Sequence, residues 1–224
     1  MRLSTVINLL LSMSLPLGLA FLLVFRDKRR AKALLLGIIT FLIFQVFTRI
    51  PLLQLVLPNQ VWYILFTYEH PLLYLFLLSL SAGLFEEIGR YLIMKKWLSK
   101  GSFMEVFTFG VGHGGIESIL IVGLGVMLSD VSSVDDFSLI MGGVERVFAM
   151  CMHVAFTFLV YTQISKRQKY ALVLSILAHT FVNFIAVYLM SLGYGILTVE
   201  FSLFVMAVIA IVYVLHERRQ FNAI

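Results

Sequence analysis

Charge is what this sequence has least of. Only 13% of its 224 residues are Asp, Glu, Lys or Arg, about half the share found in a soluble domain. The hydrophobic share is 61% and the mean hydropathy is +1.00. Together these exclude a soluble globular fold. Cysteine is nearly absent. Cys151 stands alone in an apolar run, so no internal disulfide can form and the redox compartment is not readable. No soluble domain, long linker, low-complexity tract or internal repeat interrupts the chain. The His-Glu-x-x-His signature of soluble zinc peptidases is missing as well. A net charge of +5 does not point to nucleic acid, because the basic residues fall in short clusters between apolar runs.

What is present is a series of long apolar segments. Seven spans are predicted, at about residues 4–25, 33–57, 71–95, 102–127, 138–163, 170–191 and 195–215, each long enough to cross a bilayer. The fold expected is an all-α, polytopic transmembrane bundle in one integral domain over residues 1–224, with its catalytic core at about 71–191. Pro16 reads as a kink in the first span and Pro51 lies near the outer end of the second. Trp62 to Tyr68 reads as a short interfacial piece. The first run is too long for a cleaved signal and is followed by Arg26 to Lys32, so it reads as a span.

Basic residues mark alternate connections. Arg26, Lys28, Arg29, Arg30 and Lys32 follow the first span, and Lys95, Lys96 and Lys100 follow the third. Lys166, Arg167 and Lys169 follow the fifth, and Arg218 and Arg219 the seventh. Asp130, Asp135 and Asp136 share one of the other connections. The alternation predicts an outside N-terminus and a cytoplasmic C-terminus.

Four spans carry polar groups that lipid tolerates poorly. Glu86 and Glu87 lie nine and eight residues before Lys95. His113 lies thirteen after Lys100, His153 thirteen before Lys166, and His179 ten after Lys169. At about 1.5 Å per residue, all sit roughly 12–20 Å from the cytoplasmic ends of their helices. A charge at the membrane centre costs at least about 2.5–3.5 kcal/mol, so these groups need partners or a task. Within helices, Glu86 and Arg90, His113 and Glu117, and His179 and Asn183 are spaced i,i+4, which places each pair on one face. One of the two glutamates is expected on Arg90, with its neighbour turned about 100° away. Glu145–Arg146 reads as a structural pair toward the outer side. Gly110, Gly112, Gly114 and Gly115 serve either close helix packing or an open site.

The pattern resembles that of the CAAX-processing and bacteriocin-immunity superfamily of intramembrane proteases. The residues concerned are Glu86-Glu87-x-x-Arg90, Phe109-x-x-x-His113 and His179-x-x-x-Asn183. More closely it resembles the YhfC-like membrane metallopeptidases, through Glu86–Arg90, Gly112–Glu117 and Glu145–His153. These motifs cover about residues 83–184. The superfamily spaces its second Glu four residues from Arg, and here Glu86 has that spacing, which leaves open which glutamate is the base.

The resemblance implies hydrolysis of a peptide bond within the membrane, on a peptide or membrane-protein substrate. Glu86 or Glu87 would act as general base on a water. His113 would help hold that water, and His179 and Asn183 would stabilise the oxyanion. Arg90 would orient the second Glu. His113, His153, His179 and Glu117 are the candidate ligands of a zinc ion. Zinc-dependent and glutamate-only chemistry both stay open here. A watery cavity open toward the cytoplasm or the lipid is expected beside these groups. A proton- or ion-coupled transporter is the runner-up, since intramembrane Glu, His and Arg also mark ion pathways, but no inverted repeat supports it. A non-catalytic immunity or scaffold protein is a third reading. The expected location is a bacterial or archaeal plasma membrane, with lipid as the surrounding partner.

Overall fold

Seven apolar helices build the molecule, and each is explained by the length of its run. The computed structural model describes residues 2–168 and 170–221. Lys169, one of the basic markers, lies outside the described residues. The spans are Leu3–Arg26, Arg30–Asn59, Pro71–Trp97, Phe103–Leu128, Asp136–Ser165, Ala171–Ser191 and Ile196–Phe221. No strand occurs among the described residues. Short connections force neighbouring spans to run antiparallel. A short helix, Val61–Glu69, occupies the connection between the second and third spans, where Trp62 to Tyr68 are predicted.

Two faces follow from this alternation. At the face of the acidic connection, Arg2 donates to Val134 O at 2.8 Å and Ser4 donates to Asp136 at 2.5 Å. The first span is thereby tied to the start of the fifth. At the basic face, Lys166 meets Glu217 at 3.1 Å and Tyr161 donates to Gly101 O at 2.8 Å. Asp135 caps the fifth span by accepting from the Ser138 N–H, and Ser102 and Glu105 form a capping box on the fourth.

Each of the two early prolines sits beside a wide helical turn. Pro16 follows a π-helical turn, Leu10–Ser14, and Pro51 lies between the π-helical stretches Leu42–Arg49 and Leu52–Val56. A proline removes one backbone donor, and such turns absorb the gap without ending the helix. A further π-helical stretch, Ser118–Gly123, follows Glu117 directly.

Glycine lets the helices meet at backbone distance. A Cβ on Gly112 would lie 2.4 Å from Leu34 O, and one on Gly37 would lie 2.1 Å from Phe109 O. The second and fourth spans are interlocked through these two positions. A Cβ on Gly114 would lie 3.0 Å from the Cβ of His153. The glycines around His113 are therefore packing residues, and their packing draws the fourth span close enough for His113 to meet the site.

Toward the basic face the bundle carries its apolar core. Met94, Val106, Phe109, Phe158 and Val160 are all fully buried there, in one contiguous apolar core.

Candidate functional site

The third span carries the centre of the site. Glu86, Glu87 and Arg90 are 3%, 0% and 0% exposed, and burial this complete requires every charge to be partnered. Both glutamates reach Arg90, unlike the expectation that one alone would. Glu87 takes the close contact with Arg90 Nη1, whereas Glu86 Oε2 lies 3.4 Å from Nη2. One guanidinium spans both carboxylates because i,i+3 and i,i+4 lie on adjoining faces of the turn.

The two carboxylates then diverge. Glu87 also accepts from Ser175 Oγ at 2.7 Å and from His179 Nδ1 at 2.7 Å. It is held on all sides by the third and sixth spans. Glu86 accepts from His113 Nε2 at 2.9 Å and from Gln45 Nε2 on the second span. Its side chain borders a cavity, and that of Glu87 does not.

His153 completes the cluster from the fifth span. Arg90 Nη2 donates to His153 Nδ1 at 2.6 Å. A guanidinium can only donate, so the ring hydrogen of neutral His153 sits on Nε2. Glu117 Oε2 lies 2.6 Å from that nitrogen. This oxygen has no aligned hydrogen bond within the protein. Arg146 donates to the other Glu117 oxygen at 3.4 Å and also holds Glu145. The pair predicted as an outer structural bridge thus reaches the wall of the site. The three imidazoles are contiguous. Ring centroids of His113 and His153 are 5.3 Å apart, and those of His153 and His179 5.4 Å.

Ligand atoms of Glu86, His113 and His153 all lie within 4.8 Å of one another. Two imidazoles and a carboxylate are a donor set that zinc accepts, with a fourth position left for water. The buried Nδ1 of His113 has no hydrogen-bond partner, an orphaned polar atom in a ring that already meets Glu86 through Nε2. Two of the four expected ligands, His113 and His153, belong to this group together with Glu86. His179 and Glu117 touch it from either side.

Beside the cluster lies a cavity of about 360 Å³, within the range of small-molecule and peptide sites. Glu86, Glu117, His153, His179 and Asn183 all border it. His179 and Asn183 therefore share the face that their spacing predicts. Two further wall residues were not singled out in the sequence, Gln45 and Arg49. Arg49 donates to Gln45 Oε1 at 3.2 Å, to Ser81 Oγ at 2.9 Å and to Leu78 O at 2.8 Å. A chain Arg49–Gln45–Glu86 results. The available signal was a Gln and an Arg four residues apart in an apolar span.

Fold and site define a multi-pass membrane protein with a carboxylate and imidazole centre enclosed by its helices. The model of the YhfC intramembrane metalloprotease family matches residues 11–129 and 124–209, and the chain belongs to that family. A curated relative is the uncharacterized membrane protein YhfC of Bacillus subtilis (strain 168). It is 27% identical over 186 residues, which is 69% of this chain and 72% of the relative. No solved structure matches the chain.

Proposed function

We propose that this chain is a zinc-dependent intramembrane peptidase. The observation that carries the reading is the meeting of Glu86, His113 and His153 from three separate spans within 4.8 Å, at the edge of a cavity. These three residues would hold the metal, His153 through a nitrogen that exchanges its present partner, Arg90 or Glu117, for the ion. When bound, zinc at such a site lowers the pKa of its water and polarises a substrate carbonyl. Glu117 is the general base: it borders the cavity with Oε2 held 2.6 Å from His153 Nε2, and it can take a proton there and return it to the leaving amine. Asn183 donates to the oxygen on which negative charge develops, and His179 does so as an imidazolium, with Nδ1–H on Glu87 and Nε2–H left for that oxygen. Glu87 does not face the cavity. It fixes His179 through Nδ1 and leaves that ring's Nε2 toward Glu86, at 3.8 Å from Oε1. Arg90 holds Glu86 and His153 in register.

The direct contact between Glu86 and His113 favours a second reading, in which Glu86 itself activates water without a metal. The two separate cleanly. Elemental analysis of the purified protein, reconstituted with zinc, should find bound metal that His113→Ala loses and Glu117→Gln keeps. Cleavage of membrane-embedded reporter peptides should stop in Glu117→Gln and on chelation. Wild-type protein that binds no zinc above the His113→Ala background ends the zinc reading. Cleavage that survives chelation but stops in Glu86→Gln would establish the second.

A further inference from the structure

The cavity lies on one side of the cluster. On the third span it is bordered by Leu78, Ala82 and Glu86, all at or before Glu86. On the fourth it takes Glu117 and Ile121, both beyond His113; on the sixth it runs from His179 to Val187. Each of these sequences leads away from the basic connections and toward the acidic one. Phe41 and Phe156 form the floor. Phe156 stacks on His179 at 5.0 Å, and Phe41 meets His113 edge-on at 5.5 Å. Below that floor comes the apolar core of Met94, Val106, Phe109 and Phe158, all fully buried. A second cavity opens nearer the basic face, around Arg167, Tyr170 and Tyr213, but shares no lining residue with the first.

The walls also part toward lipid. The inner half of the second span, Arg30–Phe41, packs along the fourth. Its outer half, Leu42–Arg49, packs on the third span, and among the described residues no comparable packing joins it to Ser118–Gly123. Ile50 and Ile121 border the cavity on either side of that seam, and Ile121 is 49% exposed.

We infer that the site is reached from the membrane face that bears the acidic connection, through this cavity and its seam, and is sealed from the basic face. Resting on the peptidase reading, this defines the substrate class. It is a polypeptide segment in the leaflet of the acidic face or descending from it, and a peptide confined to the basic side is excluded. By the charge rule the acidic face is the outer one; of the two openings expected from the sequence, toward the cytoplasm or toward the lipid, the lipid one is kept, on the outer side.

Single-cysteine accessibility tests this without any substrate. On a Cys151→Ser background, Ala149→Cys and Ala186→Cys probe the cavity wall. Ser133→Cys marks the acidic connection, Ser99→Cys the basic one, and Val106→Cys the sealed core. Sealed vesicles of each orientation are treated with a membrane-impermeant maleimide, and labelling in SDS gives the total. Both cavity cysteines should label several-fold faster in the orientation that labels Ser133→Cys, and Val106→Cys in neither. Labelling of the cavity cysteines from the Ser99→Cys side overturns the inference, as does protection from both sides in protein that elutes as wild type. Loss of the zinc result alone would sink the peptidase reading and leave this accessibility pattern standing.

Discussion

Arg90→Leu removes the one cation shared by three buried groups. The guanidinium is fully buried and serves Glu87, Glu86 and His153 Nδ1. A hydrogen bond to a charged group contributes about 1.5–3 kcal/mol, so three lost together set an upper limit near ~9 kcal/mol. The stranded carboxylates are not left bare. Glu87 keeps Ser175 and His179, and Glu86 keeps His113 and Gln45. The loss should therefore fall in the range of about 3–5 kcal/mol seen when one partner of a buried pair is deleted. Neutralising the carboxylate most dependent on Arg90 should recover part of it. Arg90→Leu combined with Glu87→Gln should be less destabilised than the sum of the singles by about 1–3 kcal/mol, a coupling expected only for groups in contact. SDS-driven unfolding in mixed micelles, followed by circular dichroism, measures all four proteins. A single-mutant loss below about 1 kcal/mol, or strict additivity in the double mutant, would refute the claim that this ion cluster is held by Arg90.

Gly112→Leu should destabilise by at least about 1–3 kcal/mol, because its side chain must enter the space of Leu34. Gly125→Ala meets nothing within 4 Å, so the same unfolding assay should find it near neutral. Gln45→Ala should weaken zinc affinity by about 10–100-fold through loss of the donor on Glu86, as read by competition with a chelating dye. At the acidic connection, the Ser138 side chain together with its N–H holds the Asp135 carboxyl below its ordinary value of 3.8. Its capping contribution is fully present above that value and is lost as pH falls through the lower folded one. Asp135→Asn should remove the pH dependence while keeping the cap, and acid unfolding curves of the two proteins check it.

The membrane architecture could be read from composition because lipid imposes one rule on every span: about 20 apolar residues, with the backbone satisfied within the helix. The same rule made Glu86, Glu87, His113, His153 and His179 conspicuous, and depth counted from the basic connections brought them to one level. Depth says nothing of azimuth, however. That Glu87 turns to Ser175 while Glu86 faces the cavity depends on how the third and sixth spans are rotated, and Gly83, where a Cβ would lie 2.8 Å from Ile176 O, helps fix that contact.

Azimuth also explains why Gln45 and Arg49 escaped notice. A 3.6-residue period predicts faces only while the helix keeps that period, and Leu42–Arg49 is wound more loosely. Pro51 supplies the reason, since a proline withdraws a donor from the turn before it. The looser turn carries Gln45 to Glu86 and Arg49 to the backbone of the third span. The residue that reads as a mark of the span's outer end is therefore also the one beside the turn that completes the site. A polar residue within a turn or two of an intramembrane proline merits placing by its cost in lipid before its helical phase is trusted.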